Sequence, residues 1–153
     1  MITILIVCMG NICRSPMAQA VMCKHIEQAG LSKKISVDSA GTRANQSGEK
    51  PDARAQAALA RRGYDLGRIR SKRIAPAEFH KFDWVLAMDS DNLADLRKLC
   101  PPEHSAKLKL YLDFSDEPSD ASVPDPYYGN TSGFERVLDL CETGARGWMK
   151  KLG

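Results

Sequence analysis

Ile2-Thr3-Ile4-Leu5-Ile6-Val7-Cys8-Met9-Gly10-Asn11-Ile12-Cys13-Arg14-Ser15-Pro16 carries an apolar run straight into a polar loop with a cysteine at one end and an arginine at the other. The run from Ile2 to Val7 is too short to span a membrane and lacks the flanks of a secretory leader, so it reads as a strand buried among others. Pro16 suits the first turn of a helix, where its missing N–H costs nothing, and Ser15 is a favourable N-cap. The loop is therefore expected between the carboxyl end of a strand and the amino end of a helix. Unpaired backbone N–H groups converge at such a place and cradle anions.

A thiol inside that ring of N–H dipoles, with Arg14 nearby, is expected as thiolate, the form that attacks electrophiles. Five residues separate Cys8 from Arg14. That is enough for the loop to curl so that sulfur lies beneath a bound oxyanion while the guanidinium grips two of its oxygens from the side. Gly10 permits backbone conformations closed to other residues, and Asn11 is among the few non-glycine residues that tolerate a left-handed one. Singly, a buried cysteine, a surface arginine and a capping serine are ordinary. Their combination points to a nucleophile and its electrophilic clamp. Cys13, in the same loop, reads either as a small buried hydrophobe or as a thiol that would trap oxidised Cys8 as a reversible disulfide.

Outward from the loop, further apolar runs read as strands at Ile35 to Asp38, Trp84 to Met88 and Lys107 to Leu112. Helical spacing follows in Met17 to Ala29, in Asp52 to Arg62 and in Asn92 to Leu99, so strands alternate with helices and predict a parallel α/β sheet. A last helix is expected to open on the capping-box pattern Ser132-Gly133-Phe134-Glu135. It turns Phe134, Val137, Leu138, Cys141, Ala145 and Trp148 toward the core. Open parallel sheets bind ligands beyond the carboxyl ends of their strands. Ser39, Asp89 and the segment leading to Asp125 all fall at that end with the Cys8 loop.

At 153 residues the chain is of single-domain length, residues 1–153 forming one unit, and its formal charge of +3 comes from scattered lysines and arginines. Short clusters such as Arg68, Arg70, Lys72 and Arg73 read as a solvated face, without the aromatic interleaving of a nucleic-acid site. Five cysteines, an odd number, suggest free thiols and a cytoplasmic, reducing location. They form no C-x-x-C pair and the histidines lie at no ligand spacing, so neither a metal nor another cofactor is expected.

The stretch Cys8 to Pro16 resembles the C-x-G-N-x-C-R-S-P signature of the low-molecular-weight protein tyrosine phosphatases. The likeness continues in Asp38-Ser39-Ala40-Gly41-Thr42, in Phe82-Asp83-Trp84-Val85-Leu86-Ala87-Met88-Asp89 and in Asp125-Pro126-Tyr127-Tyr128-Gly129. It implies a flavodoxin-like three-layer fold, with a four-stranded sheet of order 2-1-3-4 and helices on both faces. It also implies hydrolysis of phosphotyrosine and small aryl phosphates, with Cys8, Arg14 and Asp125 as the catalytic set. The backbone of Met9, Gly10, Asn11, Ile12, Cys13 and Ser15 would bind the phosphoryl oxygens, and Asn11, Ser15 and Ser39 would brace the loop. At two positions the chain departs from the family pattern, Asn45 standing where an aromatic residue is usual and Ile69 where a histidine supports the loop asparagine, departures that bear on substrate preference and imply a looser loop.

Cleavage of a phosphate ester by a thiolate gains from an acid that protonates the leaving oxygen. Asp125 is the candidate, since Pro124 and Pro126 hold its backbone extended. Alone it would read as a turn residue capping nearby N–H groups. Asp89, Asp91, Asp113, Asp116 and Glu117 read as surface charges. Tyr127 and Tyr128 would wall a pocket deep enough for a phenyl ring, the alternative being packing on their own loop. The expected partners are a phosphotyrosine-bearing protein, such as a bacterial tyrosine kinase, and phosphate or other oxyanions in the loop; neither nucleic acid nor membrane is expected. An arsenate reductase is disfavoured because no cysteine lies between Cys23 and Cys100. A phosphoarginine phosphatase is disfavoured by Ile12, where that branch has threonine. A non-catalytic phosphate-binding module would have no reason to keep both thiol and acid.

Overall fold

The computed structural model describes residues 1–43, 48–117, 121–126 and 131–153. Strands β1 (Ile2–Cys8), β2 (Ile35–Gly41), β3 (Trp84–Ala87) and β4 (Leu108–Leu110) form one parallel sheet in the order β2-β1-β3-β4. Helices α1 (Arg14–Gln28), α2 (Ala53–Arg61), α3 (Ser90–Leu99) and α4 (Thr131–Leu152) complete the alternation.

The unbroken apolar character of β1 follows from its central place. Ile4 and Ile6 join a core with α1, α2 and α4, while Leu5 and Val7 join a second core with Phe79, Leu93 and Leu96, and all four strand residues are fully buried. Successive side chains of a strand point to opposite faces, so a strand covered on both sides must be apolar at every position. The six residues of α4 expected in the core are all fully buried. Its packing is pinned by two hydrogen bonds, from Trp148 Nε1 to the Tyr111 carbonyl (2.7 Å) and from the Tyr111 hydroxyl to the Cys141 carbonyl (2.6 Å).

Several boundaries differ from the sequence reading. The first helix starts at Arg14 with Cys13 as its N-cap, so Ser15 is not the cap. Its hydroxyl is engaged by Cys8 and Asn11 instead, which removes it from capping duty. Helix α4 begins at Thr131, one residue ahead of the expected capping box. Strand β2 runs on to Gly41, because residues 72–74 pair with its end: Gly41 N–H donates to Lys72 O (2.8 Å) and Ile74 N–H to Gly41 O (3.0 Å). Strand β4 is shorter than expected. A 3₁₀ turn (Pro102–Lys107) occupies its start, and Asp113 Oδ2 accepts the Leu110 N–H (2.9 Å), turning the chain away. Asp52 and Asp89 cap α2 and α3, their carboxylates accepting from Arg54 N and Asn92 N.

Candidate active site

Strand β1 delivers Cys8 to the carboxyl edge of the sheet, and α1 begins six residues later. The intervening loop turns back on itself because Asn11 takes a left-handed conformation (φ 57°). That bend brings the Asn11 N–H to 3.2 Å from Cys8 Sγ. Ser15 Oγ lies 3.0 Å from the same sulfur. Asn11 Nδ2 donates to Ser15 Oγ (2.8 Å), which occupies a lone pair of the hydroxyl; its own proton has two acceptors in reach, Sγ and the Ala40 carbonyl (3.5 Å).

The bend is braced from three directions. Asn11 Nδ2 also donates to Ser39 Oγ (3.0 Å), and Asn11 Oδ1 accepts the Lys72 N–H (2.9 Å). Ser39 in turn donates its hydroxyl to Gln19 Oε1 (2.5 Å). Asn11 and Ser39 are each about 1% exposed, so these bonds are sheltered from competing water. Backbone contacts finish the cradle: Thr42 N–H reaches Cys8 O (2.9 Å), Arg43 N–H reaches Met9 O (2.9 Å) and Asp52 N–H reaches Ile12 O (2.7 Å). The family pattern's histidine at position 69 is thus not needed to hold Asn11 Oδ1, since the Lys72 amide fills that role.

The loop can lie this close to β2 only because residue 41 has no side chain. A Cβ there would stand 2.6 Å from Met9 O and 3.1 Å from Asn11 N, both backbone atoms that cannot swing aside. Gly41→Ala is expected to cost about 1–3 kcal/mol of stability, the usual range for overpacking. Urea unfolding measures that loss, and weaker binding of phosphate, followed by calorimetry, reports the displaced loop.

Arg14 is 2% exposed. Its Nη1 donates to Asp89 Oδ2 (2.5 Å) and to Val123 O (3.0 Å), while Nη2 lies 3.7 Å from Asp125 Oδ2. Burial works against a charged guanidinium, but the Asp89 hydrogen bond, with the negative charges around it, holds the proton above the ordinary arginine range. Arg14 is therefore a fixed cation whose fork is oriented before any ligand arrives. Asp89 is a correction to the sequence reading, which set it among surface charges. Its side chain is only 22% exposed, one oxygen capping α3 and the other holding Arg14. Its place at the carboxyl end of β3, on the Cys8 side of the sheet, was the signal for it.

Asp125 stands at the mouth of the same site. Val123 N–H donates to Met88 O (2.7 Å), and with the Arg14 bond to Val123 O this anchors the segment that carries it. Cys13 faces inward, and its thiol is pushed up to about 12 by burial first and then by the negative charges of Asp52, Cys8 and Asp125. It is a neutral thiol at physiological pH. Met9 is exposed at the loop's outer rim, and Gly10 and Ile12 are part-exposed beside it. Tyr127, Tyr128 and Asn45 lie outside the described residues. Among the described residues no cluster of three or more His, Cys, Asp or Glu could hold a metal ion.

The arrangement places a sulfur against the Asn11 N–H, in the loop that ends at a locked guanidinium, with the Asp125 carboxylate 3.7 Å from that guanidinium. Comparison with known proteins agrees with that geometry. The family model described as low molecular weight phosphotyrosine protein phosphatase matches residues 3–153. A low molecular weight protein-tyrosine-phosphatase of Streptomyces coelicolor is 41% identical, the match covering 94% of this chain and 88% of that protein. The human low molecular weight phosphotyrosine protein phosphatase is 37% identical over 97% of this chain and 94% of its own. A crystal structure of a protein tyrosine phosphatase from Entamoeba histolytica, with Hepes in its active site, superposes with a TM-score of 0.94 at 39% identity. It covers 99% of this chain and 97% of that one.

Proposed function

Because this chain belongs to the low molecular weight phosphotyrosine protein phosphatase family, and so is a protein tyrosine phosphatase, we propose that it works through a cysteinyl-phosphate intermediate with Cys8 as nucleophile, Arg14 as clamp and Asp125 as acid and base. The thiolate of Cys8 attacks phosphorus, forming the S–P bond. As the P–O bond breaks, Asp125 gives its proton to the departing phenolate oxygen. A water then attacks phosphorus and passes a proton to Asp125, and the S–P electrons return to sulfur as phosphate is released.

The observation that carries this reading is the company of the sulfur. Among the described residues, the groups within hydrogen-bond reach of Sγ are the Asn11 N–H, which donates to it, and the Ser15 hydroxyl, which can turn its proton to it, and neither is a general base. Such a site stabilises negative charge on sulfur, which serves both its attack on phosphorus and its departure in the second step. Arg14 and the amides of the loop from Met9 to Ser15 oppose the charge that builds on the equatorial oxygens. They supply the positive charge from within the chain, so turnover is expected to persist in EDTA. Cys13, in the same loop, is the proposed partner of an oxidised Cys8 in a disulfide, and the burial that keeps its thiol protonated makes that capture slow. A phosphotyrosine protein, such as a bacterial tyrosine kinase, is the proposed substrate and the cytoplasm the proposed location. Among the described residues no helix is long and apolar enough to cross a membrane.

Hydrolysis of para-nitrophenyl phosphate and of peptides bearing phosphotyrosine, phosphoserine or phosphoarginine, with EDTA present, tests the assignment. Turnover of the aryl esters with little on phosphoserine or phosphoarginine is the expected pattern. Preference for phosphoarginine, or loss of activity in EDTA, would overturn it.

A further inference from the structure

We infer that a groove on the far side of the loop brace is a second binding site, for a small and multiply charged oxyanion, and that its occupancy is felt at Cys8. The groove has a volume of about 840 Å³ between α1, the middle of β2 at Asp38 and the segment 63–72, and none of residues 8–15 lines it. That volume lies within the range of roughly 300–1,000 Å³ typical of small-ligand pockets.

Its charge selects the ligand. Lys24, Arg68, Arg70 and Lys72 line it against Glu27, Asp38 and Asp65. Asp38 is paired with the Lys72 ammonium and also accepts the Ser39 N–H, while Asp65, which accepts only the Gly67 N–H at 2.8 Å, keeps its charge as Glu27 does, so four cations face three carboxylates and the groove has a net charge of +1. Lys24 donates to the Gly63 carbonyl (3.3 Å) and lies over the Tyr64 ring, contacts that leave its charge unneutralised. Among the described residues Arg68 and Arg70 have no carboxylate within ion-pair distance. Two guanidiniums two residues apart, with an ammonium opposite, match a ligand carrying several carboxylate or phosphate groups, because each guanidinium clasps one such group through paired N–H bonds.

Coupling follows from shared residues. Gln19, Asp38 and Lys72 line the groove, and the same three hold the brace: Gln19 and Asp38 bond Ser39, while the Lys72 amide bonds Asn11 Oδ1. An anion that draws the Lys72 ammonium off Asp38 removes the side-chain tether of that amide. The Asn11 bend beneath Cys8 then loosens.

Cys23 also lines the groove and is exposed, so its alkylation by iodoacetamide, read by peptide mass spectrometry, reports occupancy without reference to catalysis. Citrate and tripolyphosphate are the probes, each compared with sodium chloride at equal ionic strength; which of them protects identifies the anionic group preferred. At ten times its dissociation constant a ligand leaves about one site in eleven open, so alkylation should slow about tenfold. The Arg68→Ala/Arg70→Ala double variant should lose that protection while turning over para-nitrophenyl phosphate normally when no anion is added. In the unaltered protein the protecting anion should also lower kcat, since a loosened Asn11 bend no longer holds the loop beneath the reacting phosphoryl group. An anion lodged in the Cys8 loop would instead raise KM and leave kcat unchanged. Protection by neither probe beyond the salt control, protection that survives in the double variant, or an unchanged kcat would each overturn the inference.

Discussion

Cys8→Ser is expected to remove turnover of both para-nitrophenyl phosphate and phosphotyrosine, by on the order of 10⁴–10⁶, while the folded protein still binds phosphate or vanadate. The reason lies in what surrounds the sulfur. The Asn11 N–H donates to Sγ at 3.2 Å, and Ser15 Oγ lies 3.0 Å from it. A serine hydroxyl placed there has no general base in these two neighbours, and Asp125 is committed to the leaving oxygen as acid in the first step, so the serine would stay an unreactive alcohol. The anion cradle belongs to other atoms, namely the loop amides and the Arg14 fork held by Asp89 and Val123. Calorimetric titration with phosphate should therefore give a dissociation constant close to that of the unaltered enzyme. Residual turnover near the original level would show that another group attacks phosphorus.

Asp125→Asn is expected to slow phosphotyrosine hydrolysis by about 10²–10⁴, the usual contribution of a positioned acid. The loss should be smaller with para-nitrophenyl phosphate, because that phenolate departs readily without a proton. Asparagine keeps the shape and the position beside Arg14 Nη2, so KM should change little and kcat should carry the effect. Rates measured on the two substrates decide the matter. An equal loss on both would mean that Asp125 acts through the placement of Arg14 and not by moving a proton.

The two variants also separate features that differ in how they are written into the chain. Cys8 and Arg14 sit in one loop, where strand, turn and helix signals are all local, so their association is legible in consecutive residues. Asp125 is visible as an acid held between two prolines. Asp89 was misread because nothing near it in the chain mentions Arg14. Their contact spans 75 positions and exists only because β3 lies next to β1. The N-cap reading of Ser15 failed for a related reason: the cap signal is local, and a tertiary demand from Cys8 and Asn11 overrides it. The missing histidine at position 69 pointed to a looser brace. Instead a backbone amide, which no side-chain pattern advertises, reaches Asn11 Oδ1.

Sequence by itself determined the alternation of strands and helices, the double-faced burial of β1 and the thiol-to-guanidinium loop, since each is a matter of periodicity, turn chemistry and spacing among near neighbours. Tertiary structure alone decided which carboxylate holds Arg14, how residues 72–74 extend the sheet edge to reach Asn11, and why residue 41 must lack a side chain. Those outcomes depend on which strand ends the sheet brings together, and hydrogen bonds between distant segments form only after that packing is complete.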